Sequence, residues 1–167
     1  MATTDPEASR LLGIYLNDHL AGSTGGHELA RRTANANRGT EFGGPLQEIA
    51  SEIAEDRVSL KRVMERLGVR SDPLKPALAW GMEKAGRLKP NGQLRGYSPL
   101  SRVVELEGLV TGVSGKLGLW RALGALTVAE PRLDAAALTS LERRAENQLQ
   151  RLHELRDRAA VVAFGPA

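Results

Sequence analysis

Apolar residues recur every three or four positions along most of the chain, the spacing of a helix with one buried face. Leu46, Ile49, Ile53, Leu60, Met64 and Leu67 fall on one stripe. Leu138, Leu141, Ala145, Leu149, Leu152 and Leu155 fall on another. Val103, Leu106, Leu109, Val110, Val113, Leu117 and Trp120 cover a wider arc, which predicts the most buried element of the molecule. The chain's punctuation agrees with these stripes. Asp5-Pro6, Gly44-Pro45, Asp72-Pro73 and Ser98-Pro99 place proline where a first helical turn accepts a residue without an N–H, three of the preceding residues are good N-caps, and Asp134 offers a fifth start. Gly68, Asn91-Gly92 and Gly165-Pro166 mark stops. Helices are predicted near 6–37, 45–67, 73–88, 99–127 and 134–162. No β-like alternation is long enough to build a sheet, so the fold class is all-α.

Two pairs of long helices with short loops stand on either side of a longer connection. The layout predicts one domain over 1–167, made of a hairpin at 6–67, a crossover at 68–98 carrying its own short helix, and a second hairpin at 99–162. A four-helix bundle with one non-antiparallel connection needs such a crossover. Aromatic residues are 4% of the chain, which points to an aliphatic core. Eighteen glycines are unusual for helices this long. Gly22, Gly25 and Gly26 cluster in the first helix, and Gly108, Gly112 and Gly115 share a face of helix 99–127. Close packing of these two helices is the expected use of such residues, with a kink or a small ligand cavity as the alternative.

Composition narrows the classes. The 167 residues are 41% hydrophobic and 26% charged, which excludes disordered and low-complexity chains. The absence of cysteine removes disulfides, thiolate zinc sites and cysteine nucleophiles. Arg121 interrupts the longest apolar candidate, Leu117 to Leu126, so no membrane insertion is expected. Met1 to Arg10 lacks the pattern of a signal peptide, and a cytoplasmic location is the expectation. No nucleophile elbow, Walker loop or dinucleotide fingerprint occurs, and no catalytic residue is assigned.

Two groups of polar residues hold the candidate chemistry. His19 lies near the middle of the first helix's apolar arc with Leu12, Tyr15, Gly26 and Ala30, where a hydrogen-bonded core histidine is the usual occupant. Asp56 and Glu105 flank neighbouring stripes, so either is a candidate partner for it. The second group is basic: from Arg57 to Arg95 there are ten Lys or Arg residues against three acids. Lys61, Arg62, Arg66, Arg70, Lys84, Arg87, Lys89 and Arg95 are its candidate anion contacts, for nucleic acid or an acidic partner. A solvated face is the simpler account of them, given a net charge of only +3.

The stretches Tyr15-Leu16-Asn17-Asp18-His19-Leu20-Ala21-Gly22 and Glu105-Leu106-Glu107-Gly108-Leu109, set in two hairpins joined by a crossover, resemble the ferritin-like superfamily. The nearest style is that of the YciF-like stress-associated proteins, and the resemblance implies a ferritin-like bundle with a stress-related role. Metal-binding members of the superfamily carry Glu-x-x-His on the second and fourth helices. Here those places read Glu52-Ile53-Ala54-Glu55 and Glu142-Arg143-Arg144-Ala145, without either histidine. The expected protein is therefore a non-enzymatic bundle without a cofactor, acting through its surface and forming a homodimer through the wide arc of helix 99–127. An atypical iron or manganese site built from Asp18, His19, Asp56 and Glu105 is the first alternative. An anion or nucleic-acid binder using the 57–95 segment is the second.

Overall fold

The computed structural model describes residues 5–72 and 97–166. Four helices account for most of them: α1 Pro6–Ala36, α2 Gly43–Leu67, α3 Pro99–Ala125 and α4 Ala135–Phe164, with no strand among the described residues. Their ends follow local chemistry. The side chains of Asp5, Ser98 and Asp134 accept backbone N–H bonds from Glu7, Ser101 and Ala137 at the starts of α1, α3 and α4. Helix α2 begins two residues earlier than its proline implies, at Gly43, behind Phe42 and without a side-chain cap. It ends at Gly68, whose φ of 71° is left-handed and accommodated there by glycine. The predicted helix at 73–88 lies outside the described residues.

Helices α1 and α2 form one hairpin, and α3 and α4 the other; α1 then meets α3, and α2 meets α4. Each of these neighbours runs antiparallel. Near the start of α1, Asn17 Oδ1 accepts from the Asp72 N–H at 2.7 Å, just past the end of α2. Near its other end, the Thr33 hydroxyl donates to Glu105 at 3.0 Å, close to the start of α3. Between α2 and α4, Arg158 reaches Glu41 at one end, and Arg132 donates to the Leu67 carbonyl at the other. Helices α2 and α3 consequently lie parallel across the diagonal.

All six stripe residues of α2 are buried. On α4, Leu138, Ala145, Leu152 and Leu155 are buried and Leu141 and Leu149 pack against them. The core is mainly aliphatic, with Phe42 and Trp120 as its buried rings. One expectation fails: α3 is not the most buried element. Its apolar arc is largely buried, but Gly108, Gly112, Gly115 and Gly118 are exposed, and the shorter α2 buries more of its residues. No described helix is long and apolar enough to cross a membrane.

Candidate functional site

Helices α1 and α3 touch at one end and separate toward the other. At Gly108 an added Cβ would stand 3.1 Å from Leu29 Cδ2, so the helices are in close contact there. At Gly22, Gly26, Gly112 and Gly115 an added Cβ would meet nothing within 4 Å. The close-packing role expected of these glycines therefore holds only at Gly108. The others border a cavity of about 440 Å³ between α1, α2 and α3, within the range of small-molecule sites. Ile53, Leu60, Leu109, Val113 and Leu119 supply its aliphatic wall.

Polar groups gather at the wider end. Asp56 is 2% exposed, and its Oδ2 accepts from Lys116 Nζ and from Gln148 Nε2 while its Oδ1 accepts from Arg144 Nη2. Lys116 also donates to Gln148 Oε1, and Gln148 donates onward to Glu52 at 3.0 Å. Burial pushes the Lys116 ammonium below the ordinary lysine value, against the pull of Asp56. Burial alone would raise the Glu52 carboxyl, but hydrogen bonds from Arg151 and Gln148 outweigh it and hold the pKa below the usual range. Glu52 is thus partly enclosed, whereas Glu55 is exposed and pairs with Arg144 at 3.0 Å.

The candidate residues divide between two ends of the bundle. Asp18, His19 and Asp56 all line the cavity. His19 is half-buried, packs edge-to-face on Tyr15 with centroids 4.6 Å apart, and makes no hydrogen bond among the described residues. Its pKa is lowered, chiefly by burial, with Asp18 opposing. The expectation of a hydrogen-bonded core histidine paired with Asp56 or Glu105 is therefore corrected. Asp56 is taken by Lys116, Arg144 and Gln148. Glu105 belongs to another cluster: Tyr97 donates to its Oε2 at 2.9 Å and Arg32 pairs with it at 3.2 Å. In that cluster Asn37 Nδ2 donates to Tyr97 at 3.1 Å, Asn37 Oδ1 accepts from Arg102 at 2.6 Å, and burial raises the Tyr97 pKa. It fastens the end of α1 to the start of α3. The proposed set of Asp18, His19, Asp56 and Glu105 does not converge, and no metal-sized group of three such ligands occurs among the described residues.

Of the basic set, Lys61, Arg62, Arg66 and Arg70 are exposed, with Arg66 lying 3.9 Å from Asp134. Lys84, Arg87, Lys89 and Arg95 lie outside the described residues.

Sequence reasoning missed Lys116 and Gln148, although the signal was present. Asp56 falls between Ile53 and Leu60, Lys116 between Val113 and Trp120, and Gln148 between Ala145 and Leu152, each in phase with an apolar stripe. Polar interruptions of three stripes at one level of a bundle mark a buried network. Trp120 adds a further feature: it is 1% exposed, lines the cavity, and its Nε1 N–H has no acceptor. No family model, curated protein or solved structure matches the chain.

Proposed function

We propose that this protein is a non-enzymatic binding protein that holds a small, largely apolar molecule between α1, α2 and α3. The observation that carries the reading is the cavity of about 440 Å³ bordered by glycines whose missing side chains leave space rather than contact. Helical glycine costs about 1 kcal/mol relative to alanine, and close packing does not account for that cost at Gly22, Gly26, Gly112 or Gly115. The Asp56–Lys116–Gln148 network favours binding over catalysis, since its acid and amine hold each other instead of a reacting group.

The test uses N-phenyl-1-naphthylamine, a neutral dye that brightens in apolar surroundings. Saturable enhancement near one dye per chain, lost in Gly112→Phe with the helical circular dichroism intact, is the expected result. No saturable enhancement, or enhancement indifferent to Gly112→Phe, would sink the reading.

A ferritin-like origin is kept as a proposal about the frame, supported by antiparallel neighbours with α2 and α3 parallel across the diagonal. The stress role and the homodimer come forward as proposals without added support from the site.

A further inference from the structure

The cavity's wall is largely aliphatic, yet polar side chains gather at its wider end. Three donor groups line it without a full set of partners. The Trp120 indole N–H is buried and has no acceptor. An ammonium has three N–H groups, and only two acceptors, Asp56 and Gln148, are supplied to Lys116. Arg57 lines the cavity, its Nε has no acceptor, and its hydrogen bond is a long one to Thr24 at 3.4 Å; no carboxylate forms an ion pair with it among the described residues. Leaving a buried donor unsatisfied costs about 1–3 kcal/mol, so such groups in native proteins call for an explanation.

Lys116 and Trp120 stand four residues apart on α3, and their side chains leave the same helix face. Arg57 follows Asp56 on α2. Of the two carboxylates that line the cavity, Asp56 is enclosed by Lys116 and Arg144, and Asp18 stands exposed on α1 beside His19. What Trp120, Lys116 and Arg57 lack is an acceptor placed among them, and an anionic one would suit all three. Toward Gly108 the cavity narrows to the Leu29 contact and its glycine-bordered wall offers aliphatic surface. The span from Gly108 to Trp120 is about 18 Å at 1.5 Å per residue, enough for an extended chain of a dozen carbons.

We propose that the occupant is a long-chain aliphatic carboxylate, its head group meeting Trp120, Lys116 and Arg57 and its tail lying along the glycine-bordered cleft toward Gly108. This rests on the cavity being a binding site, and specifies the chemistry it takes. A carboxylate offers two oxygens and about four lone-pair directions, which suits several converging donors. An alkylammonium brings donors and no acceptor, so it would leave the Trp120 and Arg57 N–H groups without partners.

Displacement of bound N-phenyl-1-naphthylamine by dodecanoate, dodecan-1-ol and dodecylamine, each below its micelle concentration at pH 7.5, tests it. Dodecanoate is expected to displace the dye at concentrations at least about tenfold lower than the alcohol, with the amine weakest. Lys116→Met endangers the fold, so the decisive variants are Arg57→Met, which breaks only the long bond to Thr24, and Trp120→Phe, which keeps most of the ring volume. Each should reduce the preference for carboxylate over alcohol by about three- to tenfold. Equal displacement by acid and alcohol, a preference for the amine, or a carboxylate preference unmoved by both variants would overturn the head-group assignment while dye binding still upholds the cavity. Displacement by none of the three would overturn the aliphatic carboxylate as the occupant. Absence of dye binding itself is the separate failure of the binding reading.

Discussion

Asp56 is the residue on which the interior electrostatics turn. Two cations and an amide converge on a carboxylate that is 2% exposed, so its removal leaves Lys116 without an ion-pair partner and Arg144 with Glu55 alone. Breaking a buried pair by losing one partner costs about 3–5 kcal/mol. Asp56→Ala should lose stability of that order in urea unfolding, and Lys116→Met somewhat less, because Arg144 still faces Asp56. The double variant Asp56→Ala/Lys116→Met should cost well under the sum of the two, since no lysine remains to be compensated. Additive losses would show that the pair does not act as a unit. His19 supplies a second prediction at this scale. Its folded pKa lies below the ordinary 6.5, burial being the main cause. Between those two values the unfolded chain binds the proton and the folded chain does not, so stability falls as pH drops through 6.5 toward the lowered value. The melting temperature of the native protein should decline between pH 7.5 and 5.5 more than that of His19→Gln. Identical slopes would remove His19 from the acid sensitivity. Glu52, also lowered, contributes its loss only as pH falls below its ordinary 4.5.

At the scale of the helix, the glycines separate two physical effects. Gly22→Ala, Gly112→Ala and Gly115→Ala add a methyl group where nothing stands within 4 Å, so each should gain close to the helix-propensity difference of about 1 kcal/mol. Gly108→Ala meets Leu29 Cδ2 at 3.1 Å and should gain less or lose. Thermal unfolding of the four variants checks the order, and equal gains at all four would contradict the wedge between α1 and α3. The same contrast explains what the sequence makes legible. Helix ends can be read because Asp5, Ser98, Asp134 and Gly68 act on their own neighbours within a few residues. The α2 stripe can be read because every member turns toward one core. The cavity cannot be read in this way. Glycines at helical spacing fit a tight crossing and an open cleft equally well, and only the divergence of α1 from α3 decides between them. His19 fails for a related reason: its place in the apolar arc is plain, but that arc faces the cavity, and the acids expected beside it are bonded to Lys116 and Tyr97 instead.

At the scale of the molecule, an open cleft in a bundle is either a flaw in packing or a surface stabilised by its occupant, and the two make opposite demands on ligand linkage. A molecule that binds only the folded state adds RT ln(1 + [L]/Kd), about 2.7 kcal/mol at a hundredfold excess over Kd. For a chain of this size that raises Tm by roughly 5–10 °C. Gly112→Phe places a ring in the same space. If it buries the ring as a ligand would be buried, it contributes about 1–3 kcal/mol on its own, so its Tm should rise by several degrees without ligand. The further rise with ligand should then disappear, because the ring and the ligand compete for one volume. A flaw in packing predicts the first effect without a ligand shift in the native protein. An adaptable site elsewhere predicts a ligand shift that survives in the variant. Differential scanning calorimetry of both proteins, with and without dodecanoate, therefore distinguishes a cleft that is merely unfilled from one whose filling is reversible and part of the protein's work.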